Sequence, residues 1–138
     1  MELSKEQKKI ARGIIEEGLL REFAKGLSDT DAILKEWKNK GKNPREAYHA
    51  LYRHIATFDK HIARRYDGMT GSKYLFIIAA QLRDGVIAEE DLNEFLPEVK
   101  GAIKISALHT MEEALISLNC TSHQQEMIQF WQESRALV

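Results

Sequence analysis

Cysteine and proline are nearly missing from this chain: one Cys and two Pro occur in 138 residues, with only eight Gly. A single cysteine, Cys120, cannot close an intramolecular disulfide, which fits a reducing compartment, so a cytoplasmic location is expected. So little Pro and Gly excludes collagen-like and low-complexity chains. Long apolar runs are also missing. The longest, residues 74–80, is far short of the about 20 residues a membrane span needs, so no membrane association is expected. The first six residues are charged and lack the apolar core of a signal peptide. Neither sign of charge dominates: 20 basic residues face 21 acidic ones, net −1. With 43% hydrophobic and 30% charged residues, disorder is excluded as well. What remains is one compact domain, 1–138, large enough to fold without a disulfide or a metal.

What is present is helical periodicity. No two-residue alternation occurs, and the spacing predicts an all-α fold: a single compact helical bundle of six or seven helices. Ser4 caps a first helix carrying Ile10, Ile14 and Phe23, which is expected to stop at Gly26. Ser28 and Asp31 then open a short second helix with Ile33, Leu34 and Trp37. Asn43-Pro44-Arg45-Glu46 is the strongest start signal, with Asn at the cap and Pro in the first turn. The helix it opens runs to about Tyr66, with Tyr48, Leu51, Tyr52, Ile55, Phe58, Ile62 and Tyr66 as its expected inner face. An apolar central helix follows over about residues 72–84, because residues 74–80 have no polar side. A short amphipathic helix is expected from Ala88 to Leu96, stapled by Ile87 and Leu92. Residues 97–118 form one helix or two, and a last helix carries Met127, Phe130 and Trp131.

Chemical motifs are incomplete. Residues 82–91 resemble the end of a calcium loop, but Ala80 and Leu82 fall where oxygen ligands are required. Residues 68–73 hold Gly, Ser and Lys without the spacing of a phosphate loop. No nucleophile with a neighbouring base occurs, so no catalytic set is assembled and no cofactor or metal is expected.

One constellation stays as a candidate pocket: Asp59 with His54 and His61. Periodicity puts Asp59 on the apolar side of its helix, where a carboxylate must be paired or hydrogen-bonded. A buried polar tie between helices is the favoured reading. An acid–base or metal site with His54 or His61 is the functional alternative. The two histidines are seven residues apart, about 10 Å along the axis, which is too far for one ion without a further helix.

The near-zero net charge hides two blocks. Residues 35–66 hold nine basic against three acidic groups, net +6, and residues 89–138 hold nine acidic against three basic, net −6. A candidate interaction surface emerges: Lys38, Lys40, Lys42, Arg45, Arg64 and Arg65, together with Met127, Phe130 and Trp131 of the last helix. The leading expectation is a small interaction protein that binds a protein partner or itself as a homo-oligomer. A nucleic-acid contact through the basic segment 35–65 is the second, and the Asp59 pocket is the third.

Overall fold

The computed structural model describes residues 2–117, with side chains through residue 109. Four α-helices make up these residues: α1 Lys5–Lys40, α2 Pro44–Tyr66, α3 Tyr74–Arg83 and α4 Pro97–Ser117. Two 3-10 turns, Gly71–Lys73 and Glu89–Leu92, join them, and no strand occurs among the described residues. The all-α class is as expected, and in place of six or seven helices four occur among the described residues. No helix among the described residues is long and apolar enough to cross a membrane. The expected last helix, with Met127, Phe130 and Trp131, lies outside the described residues.

The largest departure is in α1. It does not stop at Gly26 but runs for 36 residues to Gly41. Ser4 opens it, accepting a hydrogen bond from the Gln7 amide at 3.2 Å. The stretch that looks like a break in the sequence is bridged by side chains one turn apart. Lys25 pairs with Asp29 at 3.1 Å and Lys35 with Asp31 at 2.9 Å. The Thr30 hydroxyl donates to the Gly26 carbonyl at 3.0 Å. Such pairs support a helix by a few tenths of a kcal/mol each, roughly what one glycine costs.

The core occupies one end of α1. Ala11, Ile14 and Ile15 of α1 pack with Tyr74, Ile77, Ile78 and Ala79 of α3, with Ile87, Leu92 and Phe95 of the connection, and with Val99, Ile103 and Ala107 of α4. The central place of α3 agrees with its apolar sequence, although Phe76 points outward. Ile87 and Leu92 are both buried, but the amphipathic helix expected around them is only a 3-10 turn. Its Asp91 carboxylate accepts from the Ala88 amide at 2.8 Å, so the turn is closed on itself. Residues 97–117 form one helix, which answers the question left open by the sequence.

α2 stands apart from this core. Asn43 caps it, accepting from the Arg45 amide at 2.9 Å, and Pro44 begins it as predicted. Yet among its 23 residues only Ala47 is buried. It folds back antiparallel along the second half of α1, so the two helices form a hairpin arm that extends beyond the core.

Candidate functional site

The arm is held to the core by a polar hub. Glu22 continues the α1 core stripe Ala11, Ile15, Gly18, at spacings of four, three and four, and is itself buried. Its carboxylate accepts from His61 Nε2 at 2.7 Å, from the Arg65 guanidinium at 2.8 Å and from the Tyr66 hydroxyl. Arg65 bridges onward to Asp84 at the end of α3. The Tyr66 hydroxyl also accepts from Gln81 Nε2 at 3.0 Å, and the same amide nitrogen donates to the Ile15 carbonyl at 3.1 Å. Gln81 is wholly buried in α3, and Gly18 leaves the room for it: a Cβ there would stand 2.3 Å from Gln81 Nε2. Burial and the bond to Glu22 push the Tyr66 hydroxyl up to about 12. Burial alone would raise Asp84, but hydrogen bonds from Arg83 and Arg65 outweigh it and hold the carboxyl below its ordinary value.

The hub also sets how α2 is turned. Four residues further along α1, the Phe58 ring rests on Gly26, where a Cβ would meet its Cζ at 2.8 Å. His54 Nε2 donates to the Gly26 carbonyl at 3.1 Å, since a carbonyl can only accept. Phe58 further meets Phe23 edge-on at 6.0 Å. Thus His54, Phe58, His61 and Arg65 face α1. Of the expected inner face, Phe58 and Tyr66 do meet α1 and Leu51 and Ile62 are half-buried, whereas Tyr48, Tyr52 and Ile55 are exposed, as is Asp59. Ile55 and Asp59 each follow an inward residue by one, about 100° of rotation, so this side of α2 looks out to solvent. Tyr48, Tyr52 and Ile55 are 67%, 66% and 53% exposed.

The same one-residue offset recurs on α1. Glu22 and Gly26 face α2, and Phe23 and Leu27 follow each of them by one. Leu20, Leu27 and Leu34 repeat at seven residues and are all exposed, Leu27 at 72%. A step of one residue turns clockwise on one helix and anticlockwise on an antiparallel neighbour viewed from the same end. Both stripes therefore emerge on the same side of the hairpin. The residues one step in the other direction, Arg21 and Lys25, line a cleft of about 400 Å³ with Asp84 and Val86, on the side of the core. The arm thus shows an uncovered apolar side directed away from the core. Contiguous patches of this kind are where soluble proteins meet partners.

The residues singled out in the sequence are dispersed. Asp59 is exposed, in the middle of the uncovered face, so it is neither a buried tie nor a neighbour of His54 and His61, which turn toward α1. Among the described residues no group of three or more potential metal ligands gathers. Lys38, Lys40 and Arg45 are exposed at the tip of the arm and Lys42 is half-buried there. Arg64 and Arg65 lie at its base, about 30 Å away at 1.5 Å per residue. Arg65 is spent in ion pairs, with a side chain only 7% exposed. The +6 block is therefore not one basic face. Sequence spacing does not pick out Tyr66 or Gln81 as members of a polar hub. For Glu22 one signal exists, its place in the core stripe of α1.

Compared with protein-family models, with curated proteins and with solved structures, the chain matches none. A functional reading therefore rests on the geometry of its own residues.

Proposed function

We propose that this chain is an interaction protein that assembles with a second copy of itself through the uncovered side of the α1–α2 arm. The observation that carries the reading is the seven-residue repeat Leu20, Leu27, Leu34 lying beside Tyr48, Tyr52 and Ile55, all exposed on one side of an antiparallel pair. Two such pairs complete a four-helix bundle, the packing that seven-residue repeats favour. Burying a leucine contributes roughly 1.5–3 kcal/mol, so a face of this size supports stable association.

Charge favours a second copy over an unrelated partner. A two-fold axis beside Leu27 sets Leu20 of one copy against Leu34 of the other. It also brings Glu16, four residues before Leu20, to Lys38, four residues after Leu34. The same axis brings the Tyr52 hydroxyl to the Asp59 carboxylate of the second copy, giving that exposed acid a hydrogen-bond donor. The opposite signs at the two ends select the antiparallel arrangement.

A charge swap tests this. Glu16→Lys and Lys38→Glu should each weaken dimerisation by about tenfold, as the loss of one close pair and the gain of one like-charge contact would. The double variant should restore it. If the double variant is weaker than both single variants, the antiparallel second copy is wrong.

A further inference from the structure

A second cleft, of about 610 Å³, opens on the other flank of the hub between the end of α2 and the exposed side of α3. Its walls carry four cationic side chains, Arg64, Arg65, Lys73 and Arg83, against a single carboxylate, Asp67. They come from three different elements: α2, the 3-10 turn before α3, and α3 itself. Arg65 and Arg83 are held in place by Asp84. Arg64 and Lys73 pair with no acid among the described residues, and both are exposed. The floor is apolar, made by Ile77 and Ala80, and Phe76 stands beside it with 69% of its surface in water. Phe76 is otherwise unexplained: it is a large aromatic on a ten-residue helix whose opposite side fills the core.

We infer that this cleft binds a nucleoside di- or triphosphate, with Arg64 and Lys73 on the phosphates and the Phe76 ring against the base. The inference is separate from self-assembly, since the cleft shares no residue with the Leu20–Leu27–Leu34 face. Guanidinium and ammonium groups recognise phosphate by charge-assisted hydrogen bonds. An exposed aromatic ring beside them offers a stacking surface that inorganic phosphate cannot use. The volume lies within the usual range for small-molecule sites, about 300–1,000 Å³. Arg65 and Arg83 are already neutralised by Glu22 and Asp84, so the charge left for a ligand is that of Arg64 and Lys73.

The test is titration of the full chain with ATP, with pyrophosphate and with adenosine, monitored by calorimetry or by amide chemical shifts. ATP should bind saturably, pyrophosphate more weakly and adenosine not measurably. Lys73→Glu and Arg64→Glu should each weaken ATP by tenfold or more, whereas Lys42→Glu, at the far tip of the arm, should leave it unchanged. Phe76→Ala should weaken ATP and leave pyrophosphate as it was. All of these side chains are exposed or half-buried, and unaltered helical circular dichroism confirms that each variant folds. Absence of saturable ATP binding, equal loss from Lys42→Glu, or equal effects of Phe76→Ala on ATP and pyrophosphate would each overturn the proposal. So would an oligonucleotide that binds a hundredfold tighter than ATP, because the ligand would then be a nucleic-acid strand.

Discussion

The ring of Phe58 lies directly against Gly26, so close that a Cβ on residue 26 would stand 2.8 Å from it. That contact, with the Glu22 hub one turn away, fixes the rotation of α2 and so decides which side chains are left outside. Gly26→Ala should therefore destabilise the arm. Alanine gains about 1 kcal/mol of helix propensity over glycine, but crowding a packed contact costs about 1–3 kcal/mol. Gly13 supplies the control, since it lies in the same helix with nothing near its would-be Cβ. Thermal unfolding should show Gly13→Ala raising the midpoint and Gly26→Ala lowering it.

Removing the hub carboxylate should be costly. Glu22→Ala strands the buried Arg65 guanidinium beside Asp84 alone and leaves His61 and Tyr66 without an acceptor. Breaking one partner of a buried pair costs about 3–5 kcal/mol. Denaturant titration should show that loss for Glu22→Ala and a smaller one for Glu22→Gln, which keeps an acceptor oxygen. An unchanged midpoint for Glu22→Ala would mean that the arm is held by apolar contacts alone.

Two groups give opposite pH signatures. The Asp84 carboxyl is depressed in the folded state, so its contribution is present above the ordinary Asp value, about 4, and disappears as pH falls through the lower folded value. Tyr66 is raised to about 12 from an unfolded value of 10.0, so the unfolded chain loses its proton first. Stability from Tyr66 is thus fully present below pH 10 and falls as pH rises from there toward about 12. Stability measured against pH should show a shallower acid slope in Asp84→Asn, because Asp91 and Glu89 are depressed as well, and should lose its alkaline slope in Tyr66→Phe. An unaltered alkaline slope in Tyr66→Phe would contradict the buried hydroxyl.

Local signals are legible in the sequence wherever a few neighbouring residues decide the outcome. The Ser4 cap, the Asn43-Pro44 start and the apolar strip of α3 are of this kind, and each stands where the sequence puts it. The expected helix at residues 88–96 is a 3-10 turn closed by Asp91, and the other failures involve a partner helix. Gly26 followed by Ser28 looks like a helix end because both residues favour ends, yet here the missing side chain serves the approach of Phe58. The stripe Tyr48, Tyr52, Ile55, Ile62 is regular enough to define an inner face by itself. Nothing within α2 reveals that Glu22, distant in sequence, turns His61 and Arg65 inward and leaves Tyr48, Tyr52 and Ile55 outside. Periodicity alone therefore buries Asp59, and its exposure comes from the same rotation. The block charges are real in number, but the arm spreads the basic block over about 30 Å.

Everything proposed for the arm turns on a second copy closing its uncovered side. Light scattering on the full chain over a dilution series measures this directly. Twice the 15.8 kDa chain mass is expected at high concentration, with Leu27→Lys reduced to a single chain of unchanged helical content. A wild-type protein that stays at 15.8 kDa throughout the series would contradict self-assembly, because the face would then be covered from within the chain or serve no second copy.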